Sequence, residues 1–462
     1  MNVSEIARRI PEAVERLRGE GIDVLVEDLE AYGRDETEDY FETPGLVARP
    51  RSTAEVAAVL RTADALDLPV TPRGGGTGKA AAAIPAPHGM VLALGRLNRI
   101  REIDAQNRFA VVEPGVVLQD LHEACAEHGL CYPVDMSSRG SCMIGGNLAT
   151  NAGGERAIKY GVTRDQVRGV EAVLMGGSVI RTGGKTSKNS AGYALHHLLV
   201  GSEGTLGVIT EATLRLLTLP PYRKALLAPF ESLERAADAA LAVEAAGVDP
   251  SALELIERSA AALAEDMLNE RLPHADAAAL LLVEVEGFHE GRTEENRDRA
   301  AEILLHNGAE DVMVAPRERV WRVRHAIAEA VKQLPAYTSV DACVPRRSMP
   351  QLVHEAHKIA VQYGLEVICF GHAGDGNIHT DFIRRRHEDD SWDRNVKSAV
   401  RDYLRVVVAF GGTITGEHGL GLLRRDDLPL QLDASTIEAM RALKNAWDPK
   451  GLLNPGKILP PL

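Results

Sequence analysis

The residues with the clearest chemical potential lie in two short glycine-rich stretches. Phe370 to His379 reads FGHAGDGNIH and carries His372, Asp375 and His379, while Gly412 to Gly421 reads GTITGEHGLG and carries Glu417 beside His418. Two neutral imidazoles and a carboxylate are a common donor set for a divalent cation with coordination positions left open for substrate. A further imidazole next to that carboxylate suits a base at neutral pH. A lone histidine in a glycine-rich turn usually does no more than bond backbone. Four such groups in two glycine-lined stretches point further, because glycine weakens a chain unless close approach or positive φ requires it.

The rest of the chain must position these groups. At 462 residues it exceeds one ordinary core, so two or three lobes are expected. Hydrophobic and charged contents of 45% and 26% are those of a globular protein. A net charge of −14 argues against a nucleic-acid partner and provides no basic surface for an anionic membrane. Five cysteines without a CxxC suit a reducing compartment. The first twenty residues are charged and interrupted by Pro11, unlike a signal peptide, and no run of about 18 apolar residues suggests a spanning helix. Residues 222–370 are rich in Ala and Glu, with helical patterns at 231–246 and 295–307 and strand-like runs at 224–230, 279–286 and 366–370. That alternation predicts an α+β lobe with helices on one face of an antiparallel sheet, ending in the first histidine stretch. Arg324 lies in a further predicted helix.

The N-terminal half carries three more glycine-rich segments. A capping box, Ser52 to Glu55, opens a helix with an apolar stripe of Val56, Val59, Leu60, Ala63 and Leu66. A short strand then runs into Pro72-Arg73-Gly74-Gly75-Gly76-Thr77-Gly78, where bare backbone amides can converge on a phosphate. Neither GGGTGK here nor GGKT at 183–186 is a complete P-loop, and no GxGxxG links a strand to a helix as a nicotinamide-binding unit requires. The second segment runs from Ser141 to Gly154, SCMIGGNLATNAGG, and leads to Lys159-Tyr160-Gly161; the third runs from Gly201 to Ile209. Between them two strand-like runs flank a Gly-Gly turn. Together these segments predict one long ligand threaded between backbone walls. Ser435 and Glu438 are read as capping a last helix, followed by a tail dense in turn formers, DPKGLLNPGK.

PRGGGTG, IGGNLATNAGG, KYG, GSEGTLG, FGHAGDGNIH, GEHGLG and DPKGLLNPGKI, in this order, resemble the flavoprotein family of FAD-linked D-lactate dehydrogenases, glycolate oxidase catalytic subunits and D-2-hydroxyglutarate dehydrogenases. The resemblance covers about Pro50 to Lys457. It implies an α+β fold: an FAD-binding domain of two α+β subdomains of the vanillyl-alcohol-oxidase type over 1–221, an α+β substrate domain with an antiparallel sheet over 222–420, and a C-terminal helical return over 421–462. It puts the FAD pyrophosphate on Pro72 to Gly78. The rest of the cofactor would follow Pro133, Ser141, Ile144, Gly145, Gly146, Asn147, Ala149, Thr150, Asn151, Gly153, Gly154 and Tyr160. Glu203, Gly204, Gly207, Val208, Ile209 and Asn454 complete that line. Lys79 and Ala80 stand where some relatives carry a flavin-linking histidine, so the FAD is expected to be non-covalent. The implied metal ligands are His372, His379 and Glu417, the base is His418, and Arg324 grips the substrate carboxylate through its planar fork. Zinc is the favoured metal, then manganese or iron.

Relatives specialised for 2-hydroxyglutarate carry other residues at the positions of Ala328, Ser339 and Asp381, including a lysine. Losing that charge and gaining Asp381 disfavours a second substrate carboxylate. The expected activity is oxidation of a small D-2-hydroxy acid, lactate or glycolate, to the 2-oxo acid. Electrons would pass to a quinone, a cytochrome, an electron-transfer flavoprotein or an iron–sulfur subunit. The alternatives are a catalytic subunit of a multi-subunit glycolate oxidase and an enzyme like D-2-hydroxyglutarate dehydrogenase. More remote are a redox-neutral flavin transferase of the alkylglycerone-phosphate synthase kind and a non-catalytic flavin binder. The expected location is cytoplasmic, with the inner face of the membrane as a second; a homodimer is left open.

Overall fold

The computed structural model describes residues 3–37, 40–274, 276–314, 316–384 and 391–461. The chain divides into two compact units. Unit 1 is Met1–Gly153 with Val162–Leu219 and Glu417–Leu462; unit 2 is Gly154–Gly161 with Pro220–Gly416.

Unit 1 holds two larger sheets. Four strands, in the order Asp23–Leu25, Leu46–Arg49, Met90–Ala93 and Val70–Arg73, form a sheet whose last two pairings are parallel. The helix Thr53–Ala65 supplies the crossover. Ser52 Oγ accepts the Glu55 amide at 3.2 Å, and the Glu55 carboxylate reaches back to the Arg51 amide at 2.8 Å. Its predicted stripe, Val56 to Leu66, is buried against Leu46, Val70, Met90 and Leu92 in one apolar cluster. Burial at roughly 25 cal/mol per Å² of apolar surface is what holds so short a helix in place. The second sheet is antiparallel: Ile100–Asp104, Phe109–Val112, Val208–Arg215, Val167–Val173 and Val179–Gly183.

Unit 2 is built on a seven-stranded sheet, ordered Met313–Val314, Tyr222–Phe230, Ala279–Gly287, Ala252–Glu257, Glu366–His372, Asn377–Arg384 and Ala336–Cys343, antiparallel throughout. Helices cover both of its faces rather than the one expected. Ile256, Leu280 and Leu282 pack with the helices Arg258–Leu268 and Arg317–Val331, while their alternating neighbours Leu253, Leu255, Leu281 and Val283 are equally buried towards the other side. Leu233–Ala245, Glu290–His306 and Met349–Tyr363 also pack on the sheet. Continuous apolar strands such as ALLLVEV signal burial on both faces, which composition alone does not separate from one-sided cover.

Two local expectations are corrected. The first helix runs unbroken over Val3–Gly19, with Pro11 on its exposed side, where water can take the carbonyl that proline leaves unpaired. The last helix, Ala434–Trp447, is capped by Asp433, which accepts the Thr436 amide at 2.7 Å; Ser435 lies inside the first turn. Among the described residues no helix is long and apolar enough to cross a membrane.

Candidate functional site

FGHAGDGNIH folds as a β-hairpin. His372 ends one strand opposite Asn377, and Phe370 lies opposite His379 on the next. Residues paired across antiparallel strands share a face, as do residues two apart. His372, Phe370 and His379 therefore project together, with the two imidazole centroids 5.5 Å apart and nearly perpendicular. Asp375 closes the turn by accepting the Asn377 amide at 3.1 Å. Two neighbouring strands add carboxylates to the same face, Glu254 opposite His372 and Asp341 opposite His379.

Glu254 is fully buried. Its Oε1 lies 2.6 Å from His372 Nδ1, and its Oε2 accepts both Nε and Nη2 of Arg324, each at 2.7 Å. Burial pushes this carboxyl up, but His372 and Arg324 outweigh it and hold Glu254 below the ordinary carboxylate range. An ionised carboxylate has no proton to donate, so His372 carries a hydrogen on Nδ1, directed at Glu254. Arg324 stacks over Phe370 at 5.0 Å, and Nη1 is not part of its pairing with Glu254. Asp341 lies 3.7 Å from His379 Nδ1; it accepts Asn377 Nδ2 at 2.7 Å, the Thr415 hydroxyl at 3.1 Å and the Gly416 amide at 2.9 Å. The donor chemistry of unit 2 fits a divalent cation: the His379 imidazole and the anchored Asp341 carboxylate offer atoms within 4.8 Å of each other, while His372 is held by Glu254. Among the described residues a further group of unit 2 could hold a metal, but its carboxylate is engaged by other contacts. Glu257 pairs with His357 at 2.8 Å and accepts the Cys369 amide at 2.8 Å.

From Gly416 the chain passes directly into unit 1 as Glu417 and His418, whose donor atoms lie within 4.8 Å of each other. There Glu417 packs on Gly153, where a Cβ would fall 3.0 Å from its carboxylate.

Unit 1 brings its glycine-rich segments together. A Cβ on Gly75 would lie 2.4 Å from the Ser141 carbonyl oxygen, and one on Gly74 3.5 Å from the Gly146 nitrogen. Gly76 has φ +73° and needs glycine for conformation, whereas Gly75 needs it for space. The third segment lies on the helix Ile144–Thr150 through Glu203 N–H to Ala149 and Gly201 N–H to Leu148. Asn151, left-handed at φ 54°, caps that helix. The tail enters as well: Asn454 Nδ2 donates to the carbonyls of Ala82 and Glu203 at 3.0 and 2.7 Å, and Lys457 Nζ to Ile84 at 2.6 Å. Close backbone walls of this kind fit an extended cofactor with a pyrophosphate. The Arg73 guanidinium is turned to the carbonyls of Ala31 and Arg34. Gly154 and Tyr160 belong to unit 2, where the Tyr160 hydroxyl bonds Glu286 together with Arg156.

Burial drives the Glu203 carboxyl up to about 7, although the amides of Leu420 and Gly421 and the charge of Lys457 oppose it. Burial lowers Lys457 to about 8 against the pull of Glu203. Glu254 and Asp341 were not anticipated. Their signal is a carboxylate within an apolar strand, LELIE and SVDACV, which implies a partner for every such group.

Residues 44–183 match the FAD binding domain family, and residues 219–458 match the C-terminal domain of FAD linked oxidases. The chain is 39% identical to the glycolate oxidase subunit GlcD of Bacillus subtilis, over 92% of this chain and 91% of that protein. It is 38% identical to a D-lactate dehydrogenase of Archaeoglobus fulgidus, over 95% and 99%. In fold it resembles p-cresol methylhydroxylase, with a TM-score of 0.80 at 16% identity, covering 97% of this chain and 96% of that one. A relative 36% identical is a D-2-hydroxyglutarate dehydrogenase of Xanthomonas citri. The chain therefore belongs to the FAD-linked oxidoreductases of the D-lactate dehydrogenase, glycolate oxidase and D-2-hydroxyglutarate dehydrogenase group.

Proposed function

We propose that this oxidoreductase oxidises a small D-2-hydroxy acid, D-lactate or glycolate, to the 2-oxo acid. The reading rests first on the buried Glu254–His372 pair, which fixes one imidazole on the face that also carries His379 and Asp341. When bound, FAD supplies a hydride acceptor and a divalent cation supplies a Lewis acid for the substrate hydroxyl. His372, His379 and Glu417 would hold the cation, and FAD, bound non-covalently, would lie along the glycine-rich segments. His418 takes the hydroxyl proton. Arg324 binds the substrate carboxylate through Nη1 while Glu254 holds its other edge. Position, not only charge, then sets the rate. Asp381 supports a monocarboxylate: it is buried on the His379 face and accepts the Ser339 hydroxyl at 2.5 Å, so a second substrate carboxylate would meet a negative charge.

Similarity to a glycolate oxidase subunit favours a second reading of the electron path, in which a partner subunit discharges the reduced flavin. The test is anaerobic addition of D- and L-2-hydroxy acids while following flavin absorbance. D-lactate or glycolate should bleach the flavin and L-lactate should not. In His418→Asn bleaching should slow by about 10²–10⁴ with flavin retained, the usual worth of a positioned base. Bleaching by none of these acids, or at an unchanged rate in the variant, refutes the assignment.

A further inference from the structure

The GGKT run at 183–186, set aside as a phosphate loop, lines a concavity of its own in unit 1. A cavity of about 440 Å³ is bordered by Arg108, Arg168, Lys185, Thr186, Ser187 and Arg215. It lies at one end of the five-stranded sheet, where Arg215 ends its strand opposite Phe109. The neighbouring strand is irregular at the same level. Thr213 pairs with Gly169 but Leu214 with Val167, so Arg168 is the extra residue of a bulge and leaves the regular alternation. The bulge is clamped. Gly183, at φ +77°, lies so close that a Cβ would fall 2.2 Å from the Arg168 carbonyl oxygen, and the Gly184 amide donates to that carbonyl at 2.9 Å.

Charge makes this geometry informative. Glu113 is engaged by Arg99 and Arg101, Glu211 by Arg101 and Glu171 by Arg181, while at the cavity itself Glu102 pairs with Lys185 and Asp104 accepts from Asn107. Among the described residues no ion pair joins Arg108, Arg168 or Arg215 to a carboxylate. Burial lowers the Arg168 guanidinium and the charge of Arg215 lowers it further, so the two cations repel each other. A chain of net charge −14 thus keeps three unpaired guanidinium groups around one cavity. A ligand anion would remove the repulsion, and the hydroxyls of Thr186 and Ser187 add donors. The volume exceeds what a bare oxyanion needs and suits a small organic molecule. Ile209 lies six residues along the strand from Arg215, roughly 20 Å at ~3.3 Å per residue, so that end of the predicted flavin line stays away from this cavity.

We propose that this cavity is a second ligand site, which binds a small organic phosphate through the guanidinium groups of Arg108, Arg168 and Arg215. The test is calorimetric titration of the FAD-loaded full chain with inorganic pyrophosphate at low ionic strength, with citrate as a carboxylate control. One saturable pyrophosphate site is expected, weakening about tenfold on adding ~0.2 M salt. Arg168→Gln and Arg215→Gln should each weaken it about tenfold, with flavin content unchanged. Arg215 ends its strand and is exposed, so Arg215→Gln gives a reading even if the bulge variant is insoluble. No saturable binding, or binding unaffected by Arg215→Gln, overturns the proposal. Citrate binding as tightly as pyrophosphate overturns the phosphate assignment.

Discussion

Replacing Glu254 by Gln keeps its shape and removes its charge. The structure makes the consequences calculable. Arg324 would remain buried with its Nε and Nη2 facing a neutral amide, and the amide's own NH₂ would face either Arg324 or His372, both donors. Breaking a buried ion pair from one side costs about 3–5 kcal/mol. Unit 2 has 205 residues, counting 154–161 and 220–416. At about 2.1 cal/mol/K of unfolding entropy per residue, that loss lowers its Tm by about 7–12 °C. Differential scanning calorimetry reads this directly. Arg324→Met should be destabilising too, while the double variant Glu254→Gln/Arg324→Met should recover most of the loss, because no charge is then stranded. Metal affinity offers an independent readout, since freeing His372 from its carboxylate should cost about 10–100-fold. A Tm within about 2 °C of the parent, or strictly additive losses in the double variant, would refute the reasoning.

Two further outcomes are expected. Gly75→Val should empty the protein of FAD, because its Cβ would sit 2.4 Å from the Ser141 carbonyl and push the two cofactor segments apart; normal flavin absorbance after purification would show that they do not cradle it. Glu203 titrates at about 7 when folded against an ordinary 4.5, so its contribution to stability is complete below the lower value and is lost as pH rises through the higher. Lys457, at about 8, stays mostly protonated across that window. About 3 kcal/mol of stability should therefore disappear between pH 4.5 and 7 in the parent and not in Glu203→Gln, as read from denaturant melts at each pH.

The motifs were legible because their residues are constrained locally. Glycines that must approach backbone, and histidines either side of a hairpin turn, leave a pattern along the chain whatever the rest of the fold does. The capping of Thr53–Ala65 and the stripe behind it are of the same kind. What escaped was set by distant pairing. Glu254 and Asp341 owe their significance to register, being opposite His372 and His379 across strands more than thirty positions away, and an isolated Glu in LELIE does not say which residue it will face. The cover on both faces of the large sheet was equally hidden, since an apolar strand reads alike under one layer of helices or two. Arg324 was identifiable as a candidate from the family resemblance, but its tie to Glu254 was not.

Unit 1 is assembled from three stretches of chain, and the last of them arrives late. Asn454 bonds the carbonyl of Ala82 across a separation of 372 positions, and the strand at Val70 pairs with Leu453. On the ribosome, at about 5–20 residues per second, the glycine loop must wait roughly 20–70 s before the residues that buttress it emerge. Unit 2 is almost wholly synthesised within that interval. The large sheet is thus free to form while the cofactor half is still unfinished, and the walls around the glycine loop are complete only once Leu453 and Asn454 have been made.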